Sequence, residues 1–189
     1  MKCSAWTNCI WGTIVHLILI ILFAIFAFDN PDPEECWVTS TEDVVLPEEP
    51  IDSTAEYYNY GSLLRIYFGL GFFYYAIDMV KSLIHYCGII LKSAAMINMQ
   101  FICQILNVGF MALVVFGVIL RWSSFGHIAS GDNLLENADE STKEMYMVNS
   151  GKFMTIYLVY IFVSVALACL MVCCGCCALT CVSVKFAQR

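Results

Sequence analysis

Four long stretches nearly free of charge govern what this chain can fold into. The first runs from Trp11 to Phe28 with no Asp, Glu, Lys or Arg. About 18 residues at about 1.5 Å each nearly match a hydrocarbon core of about 30 Å. The second begins near Gly61, reaches Val80 and stays largely apolar to Leu91, with Arg65 and Asp78 near its ends. The third covers Phe101 to Leu120, and the fourth, the longest, Phe153 to Val184. Runs of this length and purity read as transmembrane helices, because hydrocarbon leaves backbone polar groups no partner outside the segment. Alternation with period two is missing, which argues against a membrane barrel.

Composition supports this. Of 189 residues, 60% are hydrophobic and 13% charged, against roughly 45–50% and about 25% in a soluble domain. Such a chain cannot clothe a globular surface in polar groups. The net charge of −7 and the lack of a basic patch exclude a nucleic-acid partner. The expected fold is all-α: one domain of four membrane helices near 11–28, 61–91, 98–121 and 152–182, with acidic loops at 29–60 and 122–151 on one side.

The loops hold most of the charge. Residues 29–60 contain ten acids and no Lys or Arg, and residues 122–151 hold five acids against Lys143. Four passes put both loops on one face of the membrane and both termini on the other. The terminal side carries Lys2, Lys81, Lys92, Lys185 and Arg189, against Arg65, Arg121, Lys143 and Lys152 on the loop side. That excess places the termini in the cytosol, in a plasma membrane or endomembrane. Ile25-Phe26-Ala27 is a passable signal-peptidase site, but the first run is read as a true helix.

Within the first loop, Pro31, Pro33, Pro47 and Pro50 oppose helix. Trp37-Val38-Thr39 and Val44-Val45-Leu46 are suited to a short strand pair. Ser130-Gly131-Asp132-Asn133 marks a turn, and 134–149 has room for a short helix. The acidic loops lack the spacing of an EF-hand, and no metal site is assigned. No N-x-S/T sequon occurs in either loop.

Of 11 cysteines, only Cys36 lies on the acidic face. This excludes the paired-cysteine loop frameworks of connexins, claudins and tetraspanins. Cys36 is read as a free thiol or as half of an intermolecular disulfide. Cys169, Cys173, Cys174, Cys176, Cys177 and Cys181 crowd the end of the last run. Juxtamembrane cysteines are sites for S-acylation, and Cys173, Cys174, Cys176, Cys177 and Cys181 are the candidates. The competing reading is packing, since cysteine is a small apolar residue and Cys169, Cys173 and Cys177 recur every four.

Ionisable groups in a bilayer are functional candidates. Asp78, Lys81 and His85 share one face of the second helix, and Gln100, Gln104 and Asn107 form a stripe on the third. Together they suggest a polar seam between helices two and three, for hydrogen bonding or for an ion path. Wet groups at the cytosolic interface are the simpler reading of Asp78 and Lys81. His16 stands alone on the first helix. Arg65 and Arg121 lie at helix ends, where they can snorkel. Tyr57, Tyr58 and Tyr60 sit where an interfacial aromatic belt belongs.

Arg121-Trp122-Ser123 through Gly126, followed by Ser130-Gly131-Asp132-Asn133-Leu134, forms an R-x-S-x-x-G…S-G-D-x-L element. With the Cys-rich end of the last helix, it resembles uncharacterised small four-pass membrane proteins of animals and single-celled eukaryotes. The match covers about residues 100 to 180 and departs at Ala129, where those proteins carry Cys. The resemblance implies the four-helix architecture only.

No catalytic motif is present: G-x-S-x-G, H-E-x-x-H, Walker A and G-x-G-x-x-G are all missing. No cofactor is implied. The leading reading is a non-enzymatic membrane scaffold or accessory subunit, embedded in lipid as a homo-oligomer or within a larger complex. A channel or transporter subunit and an acylation-dependent sorting protein are the alternatives.

Overall fold

The apolar runs become helices because nothing in them interrupts the backbone ladder. A computed structural model describes residues 2–33, 36–39, 44–45, 57–96, 98, 105–132 and 146–187, including their side chains except at 2–9, 39, 44–45, 57, 105 and 175–187. Helix α1 spans Lys2–Phe28 and ends just before Asp29-Asn30-Pro31. It begins nine residues earlier than the apolar run suggested, since no proline or glycine stands before Gly12. Three short strands follow: β1 (Trp37–Thr39), β2 (Val44–Val45) and β3 (Tyr57–Asn59). Helix α2 covers Tyr60–Leu91, α3 Ile105–Trp122, α4 Ser124–Ala129 and α5 Val148–Ala187. Of these, α1 (from Ile10), α2 and α5 (to Cys174) are long and apolar enough to cross a membrane. The described part of α3 is a shorter apolar helix, Leu106–Trp122.

Local chemistry sets the helix ends. The Asn59 side chain accepts a bond from Ser62 N at 3.0 Å and caps α2. At the other end Lys92 turns left-handed, with φ 53°, and its N–H reaches Gly88 and Ile89 carbonyls. Ser123 caps α4 by accepting from Gly126 N at 3.1 Å.

The strands form an antiparallel sheet in the order β2-β1-β3. The pair β1–β2 lies where the sequence suggested it, with Trp37 opposite Val45. The third strand was hidden among residues expected to form an aromatic belt, and Tyr60 corrects that expectation further. It is buried, with its N–H on the Cys36 carbonyl at 2.8 Å and its hydroxyl donating to the Leu120 carbonyl. A hydroxyl so engaged is not at a lipid interface. Tyr60→Phe is expected to cost about 1 kcal/mol, read as a lower thermal midpoint in detergent.

The chain divides into two compact units, Met1–Lys152 and Phe153–Arg189. In the first, α1 and α2 pack through an aromatic cluster. Phe23 is 0% exposed and meets the rings of Tyr67, Phe68 and Tyr75 with centroids 5.5–6.2 Å away. Its ring occupies the space where a Cβ on Gly71 would stand, so only glycine lets it lie against the α2 backbone. Helix α3 joins through Phe110 stacked on Tyr74 at 5.3 Å and Phe116 beside Tyr67 at 6.0 Å. The second unit is the continuation of α5, one unbroken helix to Ala187.

Candidate functional site

Two polar clusters stand out in the first unit, at different levels of its helices. The first sits at the loop end. There Arg121, in the last turn of α3, is only 7% exposed. Its Nη1 and Nη2 donate to the two carboxylate oxygens of Asp132 at 2.7 and 2.8 Å, and its Nε donates to the Gly151 carbonyl at 3.2 Å. Arg121 therefore does not snorkel outward. Its fork is turned inward because a carboxylate and a helix-end carbonyl there match its donor geometry. His127 Nδ1 lies 2.7 Å from Asp132 Oδ2. Burial alone would raise the Asp132 carboxyl, but the bonds from Arg121 and then His127 outweigh it and hold it below its usual value.

Backbone geometry aims these groups. Gly131 takes φ 68°, which turns the chain from α4 back toward Arg121. Gly126 packs over the last turn of α3, and a Cβ there would run into the Leu120 carbonyl oxygen and crowd Arg121 O and the Tyr60 hydroxyl. Thus Arg121, Ser123, Gly126, Gly131 and Asp132 meet in one corner of the first unit.

A second carboxylate completes the loop end. Asp32 is buried, and it accepts from Asn149 N at 3.1 Å, Asn149 Nδ2 at 2.9 Å and Ser150 N at 2.5 Å. These backbone donors belong to the first turn of α5, where an α-helix leaves N–H groups unpaired and its dipole favours an anion. The neighbouring Asn30 amide faces the Ser150 hydroxyl at 3.1 Å. Met147 N donates to Ala129 O at 2.7 Å. The first loop, α4 and the start of α5 are thereby tied into one knot.

Cys36 lies in the same layer, 1% exposed, its thiol pushed up to about 12 by burial and then by nearby Asp32. This geometry favours the free-thiol reading over the intermolecular disulfide. A thiol that is inaccessible and protonated neither reaches nor attacks a partner's sulfur.

The second cluster lies within the α1–α2 pair. Asp78 Oδ2 is 2.7 Å from His16 Nε2, and the Lys81 ammonium pairs with Asp78 Oδ1. His16 Nδ1 is 2.7 Å from the Gly12 carbonyl. His16 is thus not alone. The side chains are 22%, 16% and 17% exposed for His16, Asp78 and Lys81, so they are not freely wet. Asp78 is engaged toward α1. Of the proposed seam toward α3, Asn107 is exposed on its helix, while Gln100 and Gln104 lie outside the described residues. His85 stands one turn beyond Lys81, half-buried, with its Nδ1 lacking a hydrogen-bond partner.

In the second unit, Cys169, Cys173 and Cys174 are exposed on α5. Cys176, Cys177 and Cys181 lie on the same helix, and their side chains are outside the described residues.

Asp32 and the His16–Asp78 pair escaped the sequence reading. Asp32 looked like one acid among ten, and its Asn-Pro-Asp-Pro setting was the only sign of a rigid, aimed carboxylate. His16 and Asp78 are 62 residues apart, and periodicity within one helix carries no information about its neighbour's register. Comparison with family models, curated proteins and solved structures finds no match to this chain.

Proposed function

We propose that this chain is a non-enzymatic, four-pass membrane scaffold or accessory subunit that assembles laterally through its helices. On this reading Ile105–Trp122 extends backward to complete a fourth span. The acidic loops and the knot beneath them then share one face, and the termini are cytosolic.

The observation that carries the reading is an apolar groove of about 420 Å³ between α2 and α3, lined by Leu70, Tyr74, Gly109, Ala112, Leu113 and Phe116. Tyr74 is the one lining residue with a polar side-chain atom. Gly109 and Ala112 are small, and a Cβ on Gly109 would touch nothing within 4 Å. Small residues facing open apolar space permit close approach of another helix in lipid. The occupant assigned here is a transmembrane helix of a second subunit. Around it α2 presents Ile66, Leu70, Phe73 and Ile77 to its surroundings.

Native mass of the protein extracted in mild detergent tests this. The expected result is an oligomer or a defined complex that Gly109→Leu and Ala112→Leu, which fill the groove, dissociate. A strict monomer, or an assembly indifferent to both changes, would reject the reading.

A further inference from the structure

His16 and Asp78 make a demand on protons that can be counted from geometry. The Gly12 carbonyl, 2.7 Å from His16 Nδ1, can only accept, so Nδ1 carries a hydrogen. The other ring nitrogen, Nε2, lies 2.7 Å from Asp78 Oδ2. If the carboxylate is ionised it too can only accept, and Nε2 must carry a second hydrogen. If Nε2 is bare, Asp78 must be the acid and donate. Either way one proton beyond the Nδ1 hydrogen lies between the two groups. Without it, two lone pairs would face each other at 2.7 Å, which is repulsive.

The location gives this proton consequence. His16 lies 12 residues from the Phe28 end of the apolar span Ile10–Phe28 and six from Ile10. At about 1.5 Å per residue these are about 18 and 9 Å, well inside the span. Asp78 is held from its other oxygen by Lys81, so it cannot swing away without leaving an ammonium behind. Above the pair, toward the loops, Phe23 and Tyr75 close the α1–α2 seam, and the Tyr75 ring meets His16 edge-on at 6.2 Å. Among the described residues, Lys81 and the Tyr75 ring meet the pair, and His85 stands a turn beyond Lys81 on α2. Residues 105–120 of α3 contain no ionisable side chain.

We propose that His16 and Asp78 form a proton-binding site within the membrane-spanning helix pair, holding one proton that clasps α1 to α2. While bound, the proton is shared between Nε2 and Oδ2. When it departs to bulk water, a neutral imidazole and a carboxylate remain in acceptor-to-acceptor contact, and the two helices separate at that level. This inference does not rest on lateral assembly.

The full-length protein in lipid nanodiscs provides the test. Histidine nitrogen and aspartate carboxyl NMR signals, assigned through His16→Gln and Asp78→Asn, report the proton count. The expected state at pH 7 is either a doubly protonated His16 beside an ionised Asp78 or an Nδ1–H imidazole beside a protonated Asp78. The thermal midpoint, followed upward from about pH 6.5, where a free imidazole loses its proton, gives an independent readout. Wherever the folded state holds one extra proton, the folding equilibrium falls about tenfold per pH unit.

Asp78→Asn removes that dependence, because an amide N–H donates to Nε2 without titrating. His16→Gln gives the same flat profile, and His85→Gln keeps the wild-type slope. A singly protonated His16 beside an ionised Asp78 at pH 7, or equal slopes in wild type and Asp78→Asn, overturns the proposal.

Discussion

Arg121→Ala is expected to destabilise the folded chain by about 3 kcal/mol, at the low end of the range for breaking a buried ion pair by removing one partner. The low end applies because the Asp132 side chain is 32% exposed and regains some water. Alanine removes both bonds to Asp132 and the Nε bond to the Gly151 carbonyl. It also leaves that carbonyl and the carboxylate short of donors near the start of α5. Arg121→Lys is expected to recover less than half, since one ammonium cannot serve a carboxylate bidentately and also reach Gly151. Unfolding in a detergent titration measures both.

The acid dependence of the same contact has a definite sign. Asp132 is held below its ordinary value of 3.8 in the folded state, so its contribution is fully present above that value. It disappears as pH falls through the depressed folded value. Wild type should therefore lose stability in acid more steeply than Asp132→Asn, and equal acid profiles would contradict the assigned pairing.

Asp32→Ala is expected to cost about 2 kcal/mol, the scale of losing charge-assisted bonds at a helix N-terminus. Three donors on Asn149 and Ser150 lose their acceptor. The effect should be local first, with faster hydrogen exchange at the amides of Asn149 and Ser150 before exchange rises deeper in α5. Asp32→Asn keeps an acceptor oxygen but not the charge and should fall between. Unchanged exchange at those two amides would show that the α5 terminus does not depend on this loop.

Much of the fold was legible in the sequence because hydrophobic length and helix ladders are local properties. The stretches 61–91 and 152–182 differ from α2 and α5 by a few residues at their ends. The strand pair at 37–39 and 44–45 also followed from β-branched residues in a loop whose prolines oppose helix. By contrast, β3 at Tyr57–Asn59 carries aromatic residues that suit a strand and an interfacial belt equally, and only its pairing with β1 separates the two. The short helix expected at 134–149 lies mostly outside the described residues, and its last two positions open α5.

The polar sites were legible only in part, and the residues show why. The residues from Arg121 to Asp132 are close in sequence, so they could be read together as one element. What they build could not, because the Gly151 carbonyl and the Tyr60 hydroxyl come from distant segments. Asp78 and Lys81 could be placed on one helix face from spacing alone, being one turn apart. His16 entered that cluster only through the register of α1 against α2, which Phe23 seated on Gly71 helps to set.

The sequence by itself determined the apolar helices and the separation of charge, because both depend on composition and on spacing along one segment. It determined that the loops are acidic but not which acid is structural. Among the described residues, tertiary structure gave Asp32, Asp132 and Asp78 each a donor from another part of the chain or an adjoining turn. The physical reason is that a carboxylate is stabilised by the donors that surround it. Apart from Lys81, one turn from Asp78, those donors are brought into reach by packing and not by sequence proximity.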